Sequence, residues 1–119
     1  AAERDYREAL RVAEKNDHLE NIAAFTTNLA QFALDREQWA EAESLAREAL
    51  VLGEKVGRQE LIAGDCDRLA KALVKQNRNL EEALFMSRRA VEIFTRLRSP
   101  NLQSAQETQA EIEEKLKEK

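Results

Sequence analysis

Proline and glycine are scarce. One proline and three glycines in 119 residues leave few places where a helix must stop or the backbone must turn left-handed. The single cysteine, Cys66, excludes an internal disulfide and fits a reducing, cytoplasmic setting. With one histidine, His18, and that one cysteine, a zinc site would have to be built largely from carboxylates, which is atypical. No metal and no cofactor is therefore expected. Gly53, Gly57 and Gly64 stand apart from one another and from any strand pattern, so no phosphate-cradling loop is present. No apolar run approaches the roughly 18 residues needed to cross a bilayer. Nor does a charged start followed by an apolar stretch mark a secretory leader. No membrane partner is expected. An excess of basic charge is missing too: the formal net charge is −4, which argues against a general nucleic-acid binder. Aromatic residues make up only 5% of the chain.

What remains is helix-forming material. Glu, Lys, Arg, Gln, Ala and Leu dominate, and these lose little on entering a helix. The apolar fraction of 43% is enough for a core, and the length suits one domain. The sequence also repeats itself. Ala1 to Asp35 laid on Glu41 to Lys75 matches at thirteen of thirty-five positions, where unrelated segments share about two. Arg7-Glu8-Ala9-Leu10 falls on Arg47-Glu48-Ala49-Leu50, Ile22-Ala23 on Ile62-Ala63, and Leu29-Ala30 on Leu69-Ala70. A fixed period of this size marks an array of stacked helical units. The expected fold is all-α, an α-solenoid of about six antiparallel helices.

Apolar spacing places those helices at about 2–16, 19–35, 39–56, 58–75, 80–97 and 102–116. Breaks are expected near residues 17, 37, 57, 77 and 100, with Ser99-Pro100-Asn101 the strongest. The inward face of the fifth helix is read as Leu80, Ala83, Ala90, Val91, Phe94 and Leu97. The last helix carries only a thin apolar stripe, which suits an end cap. The organisation is a half repeat at 1–16, repeats at 19–56 and 58–98, and a capping helix at 101–117. Opening inside a repeat and without Met, the chain reads as a piece of something longer.

A family resemblance follows from the odd-numbered helices. Ala42-Ala46-Ala49 and Ala83-Ser87-Ala90 follow Trp39-Ala40-Glu41 and Leu80-Glu81-Glu82, and Ala2-Tyr6-Ala9 has the same spacing. This resembles the second helix of tetratricopeptide repeats, and Leu29-Ala30 and Leu69-Ala70 resemble the large-small pair of the first helix. The spacing of 40 to 41 residues is similar to the longer repeats of kinesin light chains and bacterial signalling proteins. Thr26 and Cys66 stand where the family usually has first-helix aromatics, and Glu54 where a repeat-ending proline is common. The resemblance implies a curved array whose first helices line a concave face.

On that geometry the exposed concave stripe contains Thr27, Asn28, Gln31 and Asp35 on the second helix, with Asp67, Arg68, Lys71 and Lys75 on the fourth. Arg68, Lys71 and Lys75 share one ridge by their spacing. Such groups grip a polypeptide's carboxylates or backbone through charge-assisted hydrogen bonds, favouring an acidic segment. The bland alternative is a solvated face balanced by Glu60, Asp65 and Asp67. A chaperone-type carboxylate clamp is matched incompletely, because Thr27 and Asp67 stand where a first clamp lysine would be expected. No catalytic constellation is apparent: Cys66 reads as a small core residue and His18 as a surface or capping residue. Trp39 reads as packing between repeats. Phe25 and Phe32 lie off the inward stripe, either packing on a neighbouring repeat or serving as exposed anchors. The expected function is a protein–protein interaction scaffold with a protein or peptide partner. The competing readings are a peptide-sensing arm of a regulator and a module that self-associates through its Ala2-Tyr6-Ala9 face.

Overall fold

The computed structural model describes residues 2–15 and 18–118, with the side chains of residues 2 and 13–15 excepted. Among the described residues the chain forms α1 (Ala2–Lys15), α2 (Leu19–Asp35), α3 (Trp39–Val56), α4 (Gln59–Lys75), α5 (Leu80–Leu97) and α6 (Leu102–Lys117), with no strand. The expected break at Asn16-Asp17 lies outside the described residues. The others fall where the composition places them.

Gly57 ends α3 in the left-handed region at φ 72°, its N–H bonded to the Gly53 carbonyl at 2.9 Å. The turns after α2 and α4 use the same device at equivalent repeat positions without a glycine. Glu37 has φ 59° and Asn77 has φ 53°. Arg98 does likewise at φ 53° to close α5 before Pro100.

Small residues set the packing. Ala42, Ala46 and Ala49 of α3 and Ala83, Ser87 and Ala90 of α5 are all buried, which lets helix backbones approach closely. Leu29, Leu69, Leu73 and Ile112 fill the space between them and are almost fully enclosed. One core runs from Ala30 through α4 to Ile112. A satellite of Ala33, Leu34, Ala42 and Ala72 is covered by the half-buried Trp39, as expected for a packing residue. Leu97, read from the sequence as inward, is instead 44% exposed, and Ile93 is buried. Leu97 sits in the last turn of α5, where the chain leaves its partners, while Ile93 lies over the core.

Each helix packs on the next in the chain, and α2 also approaches α4, which approaches α6, with Cα atoms within 8 Å. No odd-numbered pair comes that close among the described residues. The even helices thus form a tight inner layer and the odd helices a splayed outer one, in a body of 46 × 30 × 21 Å. Long ion pairs span the outer layer. Arg7 of α1 donates to Glu41 of α3 at 2.9 Å, and Arg47 of α3 donates two hydrogen bonds to Glu82 of α5 at 2.7 and 2.9 Å. Arg7 and Arg47 are the matched positions of the repeat, so one contact recurs with the period. Arg89 adds a second α5–α3 link to Glu54 at 2.8 Å.

Candidate functional site

The inner layer is grooved. A concavity of about 370 Å³ is bordered by Gln31, Leu34 and Asp35 of α2, Lys71 and Lys75 of α4, and Ser104, Glu107, Thr108 and Glu111 of α6, with Trp39 at one edge. A smaller cavity of about 130 Å³ adjoins it, lined by Gly64, Asp67, Arg68, Phe94 and Asn101. Gln31, Lys71 and Ser104 border both.

Gln31, Asp35, Asp67, Arg68, Lys71 and Lys75 therefore meet along one inner surface, but their exposure differs from the sequence expectation. Thr27 is buried, not exposed: its hydroxyl donates to Asp65 Oδ1 at 2.7 Å across the α2–α4 contact. Asp67 is also buried, at 7% exposure, on the border of the smaller cavity that Phe94 and Ser104 also line. Asn28 is half-buried and does not border the groove. Gln31, one helical turn further on, is the residue that meets Arg68.

The basic ridge is largely neutralised from within. Arg68 is mostly buried, donates from Nε to the Gln31 side-chain oxygen at 3.0 Å, and lies 3.8 Å from Asp65. Its guanidinium folds over Gly64, where a Cβ would stand 2.6 Å from Nη1. Desolvation pulls the Arg68 pKa down, against the opposing fields of Asp65, Asp67 and Asp35. Lys71 pairs with Asp67 at 3.2 Å and donates to Ser104 at 3.1 Å. Lys75 lies 3.5 Å from Glu111. Gln31 donates to Asp35 at 2.9 Å.

Below the groove sits a buried carboxyl. Asp65 is fully enclosed, and its Oδ2 receives no hydrogen bond. Burial raises its pKa to about 6, with the Thr27 hydroxyl and the Arg68 charge pulling the other way. Burial likewise pushes the Cys66 thiol up to about 11, and Cys66 is a core residue.

Sequence reasoning missed the third wall. Ser104, Glu107, Thr108 and Glu111 recur at three- and four-residue spacing on one face of α6, and that spacing was the available signal. At the other end Tyr6 packs against Phe25 and Phe32 at ring separations of 5.9 and 5.3 Å. Those two aromatics therefore pack on α1, and the α1 face proposed for self-association is partly occupied by the chain's own α2.

A two-layer array of antiparallel helices, repeating every forty residues with a groove on its inner layer, defines the class of helical-repeat proteins. Residues 22–56, which span α2 from Ile22 and all of α3, match the family model described as tetratricopeptide repeat. Over those residues the chain is similar to that repeat, and among the described residues it forms an all-α solenoid. No curated protein and no solved structure matches it.

Proposed function

We propose that the chain is a protein-interaction module that holds a polypeptide segment in the inner groove, with no chemistry of its own. One observation carries this: the groove is walled by three helices and lined mainly by polar side chains, with Leu34 and Trp39 giving an apolar edge. A segment lying along it meets hydrogen-bonding groups from α2, α4 and α6 together, which fixes its register. The tetratricopeptide repeat supports the coarser part of the reading, protein–protein interaction. Residues Gln31, Asp35, Lys71, Lys75, Glu107 and Glu111 would make the contacts, while Thr27 and Arg68 hold α2 against α4.

Filling the groove tests this. Lys75→Trp with Glu107→Trp places two large side chains at exposed positions on two of the three walls and leaves the core alone. Peptides selected from a random library against the natural chain should lose binding to this double variant while its helical circular dichroism is unchanged. Selected peptides that bind the filled variant as tightly would move the site off the groove.

A further inference from the structure

The charge left unspent in the groove is negative, opposite to what the Arg68–Lys71–Lys75 ridge suggests. Each of those cations already faces a carboxylate of its own chain: Asp65 for Arg68, Asp67 for Lys71 and Glu111 for Lys75. Asp35 and Glu107, both exposed and both on the groove wall, have no cation within ion-pair distance among the described residues. Asp35 also closes α2, whose last turn contains no basic residue, so the negative end of that helix dipole adds to it. A second observation comes from the adjoining cavity. Asp67 borders it at 7% exposure, and while Oδ2 meets Lys71, Oδ1 receives no hydrogen bond. A buried carboxylate oxygen without a donor is costly, and a donor brought by a ligand would relieve it.

We infer that the groove selects a basic polypeptide segment, whose lysine or arginine side chains sit against Asp35 and Glu107 and supply a donor toward Asp67. This rests on the groove reading above and names the partner's chemistry. An acidic segment would meet lysines whose charge Asp67 and Glu111 already offset, whereas a basic segment would meet Asp35, which accepts only from the Gln31 amide, and Glu107, which pairs with no cation among the described residues. The chain's formal net charge of −4 also draws a cationic partner at long range.

The test uses three fluorescent peptides of equal length with the same apolar residues, carrying lysine, glutamate or serine at the charged positions. The lysine peptide should bind most tightly to the natural chain, and its affinity should fall as salt is raised. Asp35→Asn combined with Glu107→Gln should weaken it about ten-fold, while Glu114→Gln, on α6 but outside the groove, should change nothing. Tighter binding of the glutamate peptide, abolished by the groove-filling tryptophans, would overturn the basic preference and leave the groove reading standing. Lysine-peptide binding that survives those tryptophans would overturn the assignment of the cation contacts to this surface. If none of the three peptides binds, while library-selected peptides still require an open groove, the charge inference alone fails.

Discussion

At the scale of single residues, Asp65 is where sequence and structure part most. Its repeat counterpart is Phe25, so an aromatic in one unit becomes a buried carboxyl in the next. Thr27 accommodates it with one hydrogen bond, and the other oxygen goes without. A folded-state pKa of about 6 lies above the ordinary 3.8, so between those values the folded chain holds more protons than the unfolded one. Stability from this group therefore rises as pH falls from about 6 to about 4, and the burden of the buried charge is full above 6. The swing is at most about 3 kcal/mol, from two pKa units at 1.36 kcal/mol each. Asp65→Asn keeps an acceptor for Thr27 and removes the titration. Urea midpoints for both chains at several pH values should show the natural chain gaining on the variant as pH drops from 7 to 4. A pH-independent difference would mean that Asp65 titrates as an ordinary aspartate.

At the scale of elements, the helices themselves were legible. Ala, Leu, Glu and Lys at helical spacing, Gly57, and Ser99-Pro100 placed every boundary that the structure describes within about three residues. The burial of Thr27 and Asp67 was not legible, because helical spacing assigns a residue to a face without saying how far the neighbouring helix leans over it. The α6 wall escaped for a related reason: a polar stripe on a terminal helix looks the same whether it meets water or a groove. Turn chemistry supplies a prediction. Arg98 closes α5 at φ 53° and carries a Cβ in a conformation that suits glycine. Arg98→Gly should stabilise by about 0.5–1 kcal/mol, and Gly57→Ala, at φ 72°, should destabilise by about 1 kcal/mol. Thermal or urea denaturation of the two variants reads both signs, and a gain on placing alanine at 57 would contradict the left-handed stop.

At the scale of the whole molecule, stability is shared between neighbours along the array. The helix α4 comes within 8 Å, between Cα atoms, of α2, α3, α5 and α6, whereas α1 comes that close to α2 alone among the described residues and reaches α3 only through the Arg7–Glu41 pair. Amide hydrogen exchange should accordingly find the slowest amides in α4, around Leu69 to Leu73, and much faster exchange throughout α1. Equal protection of α1 and α4 would show instead that the array opens only as one unit. The two layers also differ in what joins them. Inner helices approach within 8 Å between Cα atoms, while outer helices stand further apart and are joined through the extended side chains of Arg7–Glu41, Arg47–Glu82 and Arg89–Glu54. Side chains of that length swing through their rotamers at little energetic expense, and close-packed alanines do not yield. Under load the inner curve should therefore hold its spacing while the outer one yields. Bending would lengthen or shorten the arginine tethers of the outer layer first, and the spacing of the inner helices that wall the groove would change last.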